Sequence, residues 1–353
     1  MSSIFSRSPY IIEIDETGQL SSKVELYIWT SGAQPSDPQY TLSKKIPASD
    51  RTSTLYDVSP YIREYYSFDS FTGLTNVYNE ATPTGHYVNV RIVRSFTNST
   101  GEQGIDSIAY KAFNGYGLYE DGSNPDKGNV LLAEDTYTYK KLGGSDVIAQ
   151  QQNHAGIITV KTGTSDVMRY TDLVTGATFT QALSDNSMIN LDRCYILHRE
   201  RGNKVELLTG GSTVSWTAYF RPIEECKYTP VYIDYINAFG AWSRIFMYKT
   251  SKTSIKTTSK DFKLMNEPLN YDVLRGSKAL FQVNGTETLK VNSGFVRESF
   301  FSQLKELMLS DRVLVNNRPA SIKTSSLDMQ TGLNDNTMSY GLDVEFNNDI
   351  INA

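Results

Sequence analysis

Reactive side chains are scarce in this 353-residue chain, which holds only 3 His and 2 Cys. His86, His154 and His198 show no repeated metal-ligand spacing, and so few Cys and His exclude a zinc framework. Cys194 and His198 fall in the run Cys194-Tyr195-Ile196-Leu197-His198-Arg199, which reads as a strand. Positions four apart in a strand share a face but stand about 13 Å apart, too far for proton transfer in a thiol–imidazole dyad. A structural strand is therefore expected there. Cys194 and Cys226 do not make a disulfide framework and are read as two buried, reduced thiols.

Other chemistry-bearing patterns are weak. Gly115, Gly117 and Gly122 miss the spacing of a dinucleotide fingerprint and lack a strand–helix context, so a tight turn is expected. Asp121-Gly122-Ser123-Asn124-Pro125-Asp126 carries oxygen ligands in an order that does not match an EF-hand loop, and reads as a surface turn. The pairs Glu224-Glu225 and Glu134-Asp135 are adjacent, so in a strand their carboxylates point to opposite faces and need not converge. One charge feature stands out. Residues 227–263 hold Lys227, Arg244, Lys249, Lys252, Lys256, Lys260 and Lys263 against only Asp234 and Asp261, in a chain of net charge −5. Lys249, Lys252, Lys256, Lys260 and Lys263 form the candidate contact surface, a basic loop facing DNA or an acidic neighbouring subunit. A solvated flexible loop is the default reading of such a run, and the contact surface is weighed against it.

Short strands position these residues. Tyr10–Ile14 reads as a strand, and Val24–Trp29 alternates with period two, the pattern of a strand with one buried face. Ser59-Pro60-Tyr61 predicts a helical turn capped by Ser59, with Pro60 at its start. Tyr87–Phe96, Ile105–Phe113, Leu131–Tyr139, Gly156–Thr162, Val167–Thr171, Lys204–Leu208 and Val214–Phe220 add further strands. After Pro230, Val231–Ile236 and Ile245–Tyr248 flank Asn237–Trp242, where Gly240 allows a backbone turn and Trp242 is assigned to the core. Asn284-Gly285 predicts a type I′ hairpin turn between 279–283 and 287–291. Phe300, Phe301, Leu304, Leu307 and Met308 recur at helical spacing and predict a helix over about 296–309. Strands at Arg312–Val315, Pro319–Lys323 and Ser339–Phe346 close the chain.

Composition narrows the class. Mild acidity excludes a strongly basic nucleic-acid binder as a whole-chain reading. The first residues lack the pattern of a signal peptide, and no stretch reaches the roughly 20 apolar residues of a spanning helix. With 23 Tyr, 15 Phe and 3 Trp, the chain suits strands and interfaces.

Several stretches carry a resemblance. They are Cys226-Lys227-Tyr228-Thr229-Pro230-Val231, the run Ile233–Trp242, Asn292–Glu298, Leu307–Val315 and Asn336–Phe346. Ser8–Glu13, Val24–Trp29 and Ser59–Tyr65 add to them. Together they resemble a family of virion structural proteins of tailed bacteriophages, of the type found in phages of marine bacteria and cyanobacteria. The resemblance covers much of the chain, and its motifs are not catalytic. It implies a place in the tail, baseplate or neck.

The expectation is a mainly β chain of serial β-sandwich-like domains, the C-terminal one with a single packed α-helix. Its domains are 1–119, 120–225 and 226–353. The expected function is a non-enzymatic virion component, synthesised in the host cytoplasm and assembling with copies of itself and other virion proteins. No cofactor, metal or membrane insertion is expected, and DNA contact rests on the lysines alone. The alternative is a receptor- or glycan-binding module of a tail tip or fibre. The absence of a slender repeat or coiled coil favours the structural role. A third reading, a β-sandwich glycosidase or protease, needs convergent acids or a nucleophile with its base; neither pattern shows along the sequence, and the reading stays open to residues that meet only in space.

Overall fold

The computed structural model describes residues 3–46, 52–67, 87–122, 124, 128–132, 135–141, 155–265, 274, 276–328 and 338–351. The chain is mainly β, as its alternating patterns predict. Its contacts form two compact units. One holds Met1–Glu224 with Tyr235–Ile245; the other holds Glu225–Asp234 with Phe246–Ala353. Both of the expected segments 1–119 and 120–225 contribute to the first unit.

In the first unit, β1 (Ser3–Phe5), β2 (Ile11–Asp15), β3 (Ser21–Trp29), β4 (Tyr40–Lys45), β5 (Ser53–Asp57), β6 (Tyr87–Asn98) and β7 (Gly101–Phe113) come first. Five of them form a sheet in the order β1-β7-β6-β3-β4, and β2 pairs with β5. Alternation along β3 sends Val24, Leu26 and Ile28 inward. They meet Ile12, Ile14 and Tyr56 from the β2–β5 pair in one core, a sandwich in which each layer buries the other's apolar face. Within it, Ser22 Oγ lies 2.6 Å from both Thr54 Oγ1 and Tyr56 Oη, so the buried hydroxyls satisfy one another.

α1 (Ser59–Arg63) closes this core with Ile62. Its start differs from the expectation. Val58 holds the N-cap position, and Asp57 accepts the bonds from the Ser59 N–H and hydroxyl. A carboxylate just ahead of the helix out-competes the serine as acceptor.

Next come β8 (Thr136–Lys140), β9 (Ile157–Lys161), β10 (Val167–Asp172), β11 (Thr178–Ala182), β12 (Met188–Asp192), β13 (Asn203–Thr209) and β14 (Thr213–Ile223). They form a sheet ordered β11-β10-β13-β14-β8 and a β9–β12 pair whose residues are all buried. Met188 and Leu131 share a cluster with Phe5, Tyr87, Phe113 and Ala241, so strands from both sides of residue 120 have one core.

Buried charge locks this region. Arg193 is fully buried, with its guanidinium over the Tyr137 ring at 4.5 Å. It donates to Ile157 O at 2.9 Å, Arg244 O at 3.1 Å and Ser243 Oγ at 3.1 Å. Arg199 Nη2 donates to buried Asp192 Oδ2 at 2.8 Å. The segment Cys194–Arg199 is not a strand. It forms a 3-10 turn over Ile196–His198, because Arg199 and His198 bond back to Asp192 and forward to Asn203.

β15 (Val231–Ile236) and β16 (Trp242–Met247) carry the chain between the units. Gly240 takes φ +79 in the turn between them, and Trp242 is buried. The second unit adds β17 (Lys252–Lys263), β18 (Lys278–Val296), α2 (Phe300–Met308), β19 (Val313–Val315), β20 (Arg318–Ile322) and β21 (Met338–Asp349). These strands run β19-β20-β21-β18-β17 across the sheet. Leu289 and Val291 of β18, with Leu342 and Val344 of β21, point to one buried face. In α2, Phe300, Leu304 and Leu307 repeat at helical spacing and are buried.

The Asn284-Gly285 turn is not formed. Both residues lie inside the continuous β18, neither at positive φ. Their polar groups are used elsewhere: Ile351 N donates to Asn284 Oδ1 at 3.0 Å, and Ile350 N to Gly285 O at 2.9 Å.

Candidate functional site

The basic segment is a strand rather than a loop. Thr253, Ile255, Thr257 and Thr258 favour extended backbone, and β17 pairs with β18 from Lys252↔Lys290 to Lys263↔Lys278. β17 ends the sheet order, so its second edge carries no strand among the described residues.

The five candidate lysines separate into three groups. Lys252, Lys256 and Lys260 occupy alternate-face positions and rise from one side of β17, about 13 Å apart at the usual strand rise. No ion pair joins them to a carboxylate among the described residues. Lys263 falls on the opposite face, across from Lys278, which pairs with Asp261 at 3.1 Å. Lys249 lies outside the strand and is held by Glu225 at 2.7 Å. The hydrogen bond raises the lysine pKa and lowers that of the carboxylate.

The lysines flank a projecting ribbon. Pairing between β18 and β21 stops at Thr286↔Asp349, and Ile350 and Ile351 still bond to Gly285 and Asn284, so it is Ser259–Lys263 and Lys278–Val283 that have no further strand beside them among the described residues. A register irregularity after Thr258 coincides with Gln282 at φ +50. This ribbon exposes Phe262, Leu280, Phe281 and Val283, with Leu280 at 65%. Phe262 and Phe281 meet edge-to-face at 5.9 Å. Exposed apolar side chains, cations without a carboxylate partner and an edge without a paired strand among the described residues suit binding, in particular pairing with an added strand.

The other sequence candidates are dispersed. Cys194 is buried, and burial pushes its thiol pKa up to about 12, so it is held as a protonated thiol. Cys226 is exposed, contrary to the expectation of two buried thiols, because it lies in the irregular segment before β15. His198 Nδ1 donates to Asn203 Oδ1 at 2.9 Å inside the fold. Glu224 sits 4.0 Å from Lys141 while Glu225 binds Lys249, so the two acids have separate partners. Asp121 accepts the Leu118 N–H, and Asn124 bonds both backbone groups of Phe5, which makes that segment structural. Gly115 is a point of close backbone approach. His86, His154, Ser123, Pro125, Asp126 and Glu134 lie outside the described residues.

No group of three or more His, Cys, Asp and Glu side chains among the described residues could hold a metal ion. No helix among them is long and apolar enough to cross a membrane. Sequence patterning does not single out Lys290 and Lys323, which the sheet places beside Lys252 on one cleft. They lie 38 and 71 positions from it, and only strand register signals the proximity. The candidate surface of the second unit is thus a basic, partly apolar sheet edge; no protein-family model matches the chain, and no curated protein matches it significantly.

Proposed function

We propose that the chain is a non-enzymatic structural component of a tailed-phage virion, assembling through subunit contacts in the tail, baseplate or neck. The observation that carries this reading is the β17 edge, which has no strand beside it among the described residues, continuing into a two-stranded ribbon with exposed Phe262, Leu280 and Phe281. Apolar side chains gathered on an open edge are an aggregation hazard unless a partner covers them. A repeating assembly supplies that partner in copies of the same chain or in other virion proteins. Synthesis in the host cytoplasm and incorporation into the particle follow from this role.

Light scattering of the purified chain over a concentration series tests the reading. A discrete oligomer that dissociates when Phe262→Asp and Leu280→Asp are introduced is the expected result. A monomer at every concentration, unchanged by these substitutions, overturns assembly through this edge.

A further inference from the structure

A second feature of the same unit has different chemistry. A cleft of about 540 Å3 opens on the polar face of the sheet, opposite the face that buries Leu289, Val291, Leu342 and Val344. Strand register sets three lysines around it. Lys252 of β17 stands directly across from Lys290 of β18, and Lys290 stands across from Asp343 of β21. Lys323 follows β20, with its N–H donating to Asp343 O at 2.8 Å.

This arrangement leaves charge unbalanced. Like charges directly opposite each other destabilise a sheet. Asp343 compensates Lys290 at 3.1 Å, and Glu345 compensates Lys323 at 2.8 Å. Lys252 has no carboxylate partner among the described residues. An oxyanion placed between Lys252 and Lys290 removes the repulsion. Around it the cleft offers hydroxyls from Thr324, Ser325 and Ser326.

The surroundings select among anions. A protein partner would bring apolar side chains to the centre of its contact, and the apolar side chains here face the other side of the sheet. A nucleic-acid backbone would run its phosphates past Asp343, which repels them. An acidic saccharide can set one carboxylate or sulfate at the lysines and turn hydroxyls toward Asp343, whose carboxylate accepts bonds from them.

We propose that this cleft binds an acidic saccharide, whose carboxylate or sulfate lies between Lys252 and Lys290 and whose hydroxyls reach Asp343 and Thr324–Ser326. The site is separate from the distal ribbon and takes a ligand that assembly does not require. Gly341 forms part of its floor. A Cβ there meets only Val291 O at 3.8 Å, so a larger side chain can enter the cleft without strain in the sheet.

The test is calorimetric titration of the intact chain with tetragalacturonate and with a sulfated tetrasaccharide. Maltotetraose, inorganic sulfate and a thymidine oligonucleotide are the comparison probes. Binding of one or both acidic saccharides but not of maltotetraose is expected. Lys252→Gln should weaken it about tenfold, the order of one lost charge-assisted hydrogen bond. Gly341→Gln should abolish it while thermal unfolding and oligomeric state stay unchanged. No saccharide binding, equal binding of inorganic sulfate, tighter binding of the oligonucleotide, or indifference to both substitutions overturns the proposal.

Discussion

Gly115 and Gly240 face each other across a backbone crossing that leaves no space for a side chain on either. A Cβ on Gly115 would lie 2.6 Å from Ala238 O, and one on Gly240 would lie 2.8 Å from Gly115 N. Tyr116 N donates to Ala238 O at 2.7 Å beside the crossing. Gly240 also needs its positive φ of +79. Close approach, rather than ligand binding, accounts for a glycine at 115.

Gly115→Ala and Gly240→Ala should therefore each cost about 2–4 kcal/mol, from overpacking and, at 240, from left-handed backbone strain. Urea unfolding followed by tryptophan fluorescence measures both. Gly104→Ala, where a Cβ meets nothing within 4 Å, is the control and should change stability far less.

Arg193 should prove equally sensitive. Its planar fork serves Ile157 O, Arg244 O and Ser243 Oγ while lying over Tyr137. A lysine keeps the charge but cannot reproduce the fork or the stacking. Arg193→Lys should lose about 3–5 kcal/mol, the scale of a disrupted buried charge network. A denaturant midpoint equal to wild type would contradict this.

Asp172 gives the chain an acid-sensitive joint. Burial alone would raise its pKa, but the Thr175 and Val174 N–H groups and Arg201 Nε donate to the carboxylate and hold it at about 2. The folded value lies below the unfolded one, so the stabilisation is complete above pH 4 or so and is lost as pH falls toward about 2. Asp172→Asn should cost about 2 kcal/mol at neutral pH, and the gap from wild type should close between about pH 4 and pH 2. Unfolding midpoints of both proteins across that range decide the matter; a gap independent of pH excludes the carboxylate as its source.

The aligned lysines of β17 lead to a salt prediction. Changing Lys256 and Lys260 to Gln, with Lys252 of the cleft left in place, should weaken assembly at low ionic strength, with little further effect near 0.5 M salt, where the Debye length is only about 4 Å. Light scattering at two salt concentrations separates the cases. Assembly with unchanged salt dependence would show that these lysines do not contact an acidic partner.

Residue patterning explains which elements are legible. Val24, Leu26 and Ile28 announce β3 because one face is wet and the other dry. Phe300, Leu304 and Leu307 do the same for α2, although the helix begins later than 296 because β18 continues through Val296. β17 is hidden because an edge strand exposed on both faces needs no apolar period; its lysines and threonines look like a loop. Asn284-Gly285 has the chemistry of a turn, but β18 has neighbours on both sides there, and pairing with Thr257 and Thr258 overrides the local preference. The Lys252–Lys290 juxtaposition and the burial of Arg193 depend on contacts distant in sequence, which no local window contains.

The division of the chain also constrains its synthesis. Residues 225–234 belong to the second unit, yet 235–245 return to the first. A ribosome must therefore release a piece of the second unit before it can complete the first. Until then Arg193 lacks its acceptors on Ser243 and Arg244, and Leu131 O lacks the Asn237 amide that donates to it at 3.0 Å. A gene cut after codon 224 would produce a first unit with an open buried cation, so a shortened chain that keeps that unit whole has to extend through Ile245.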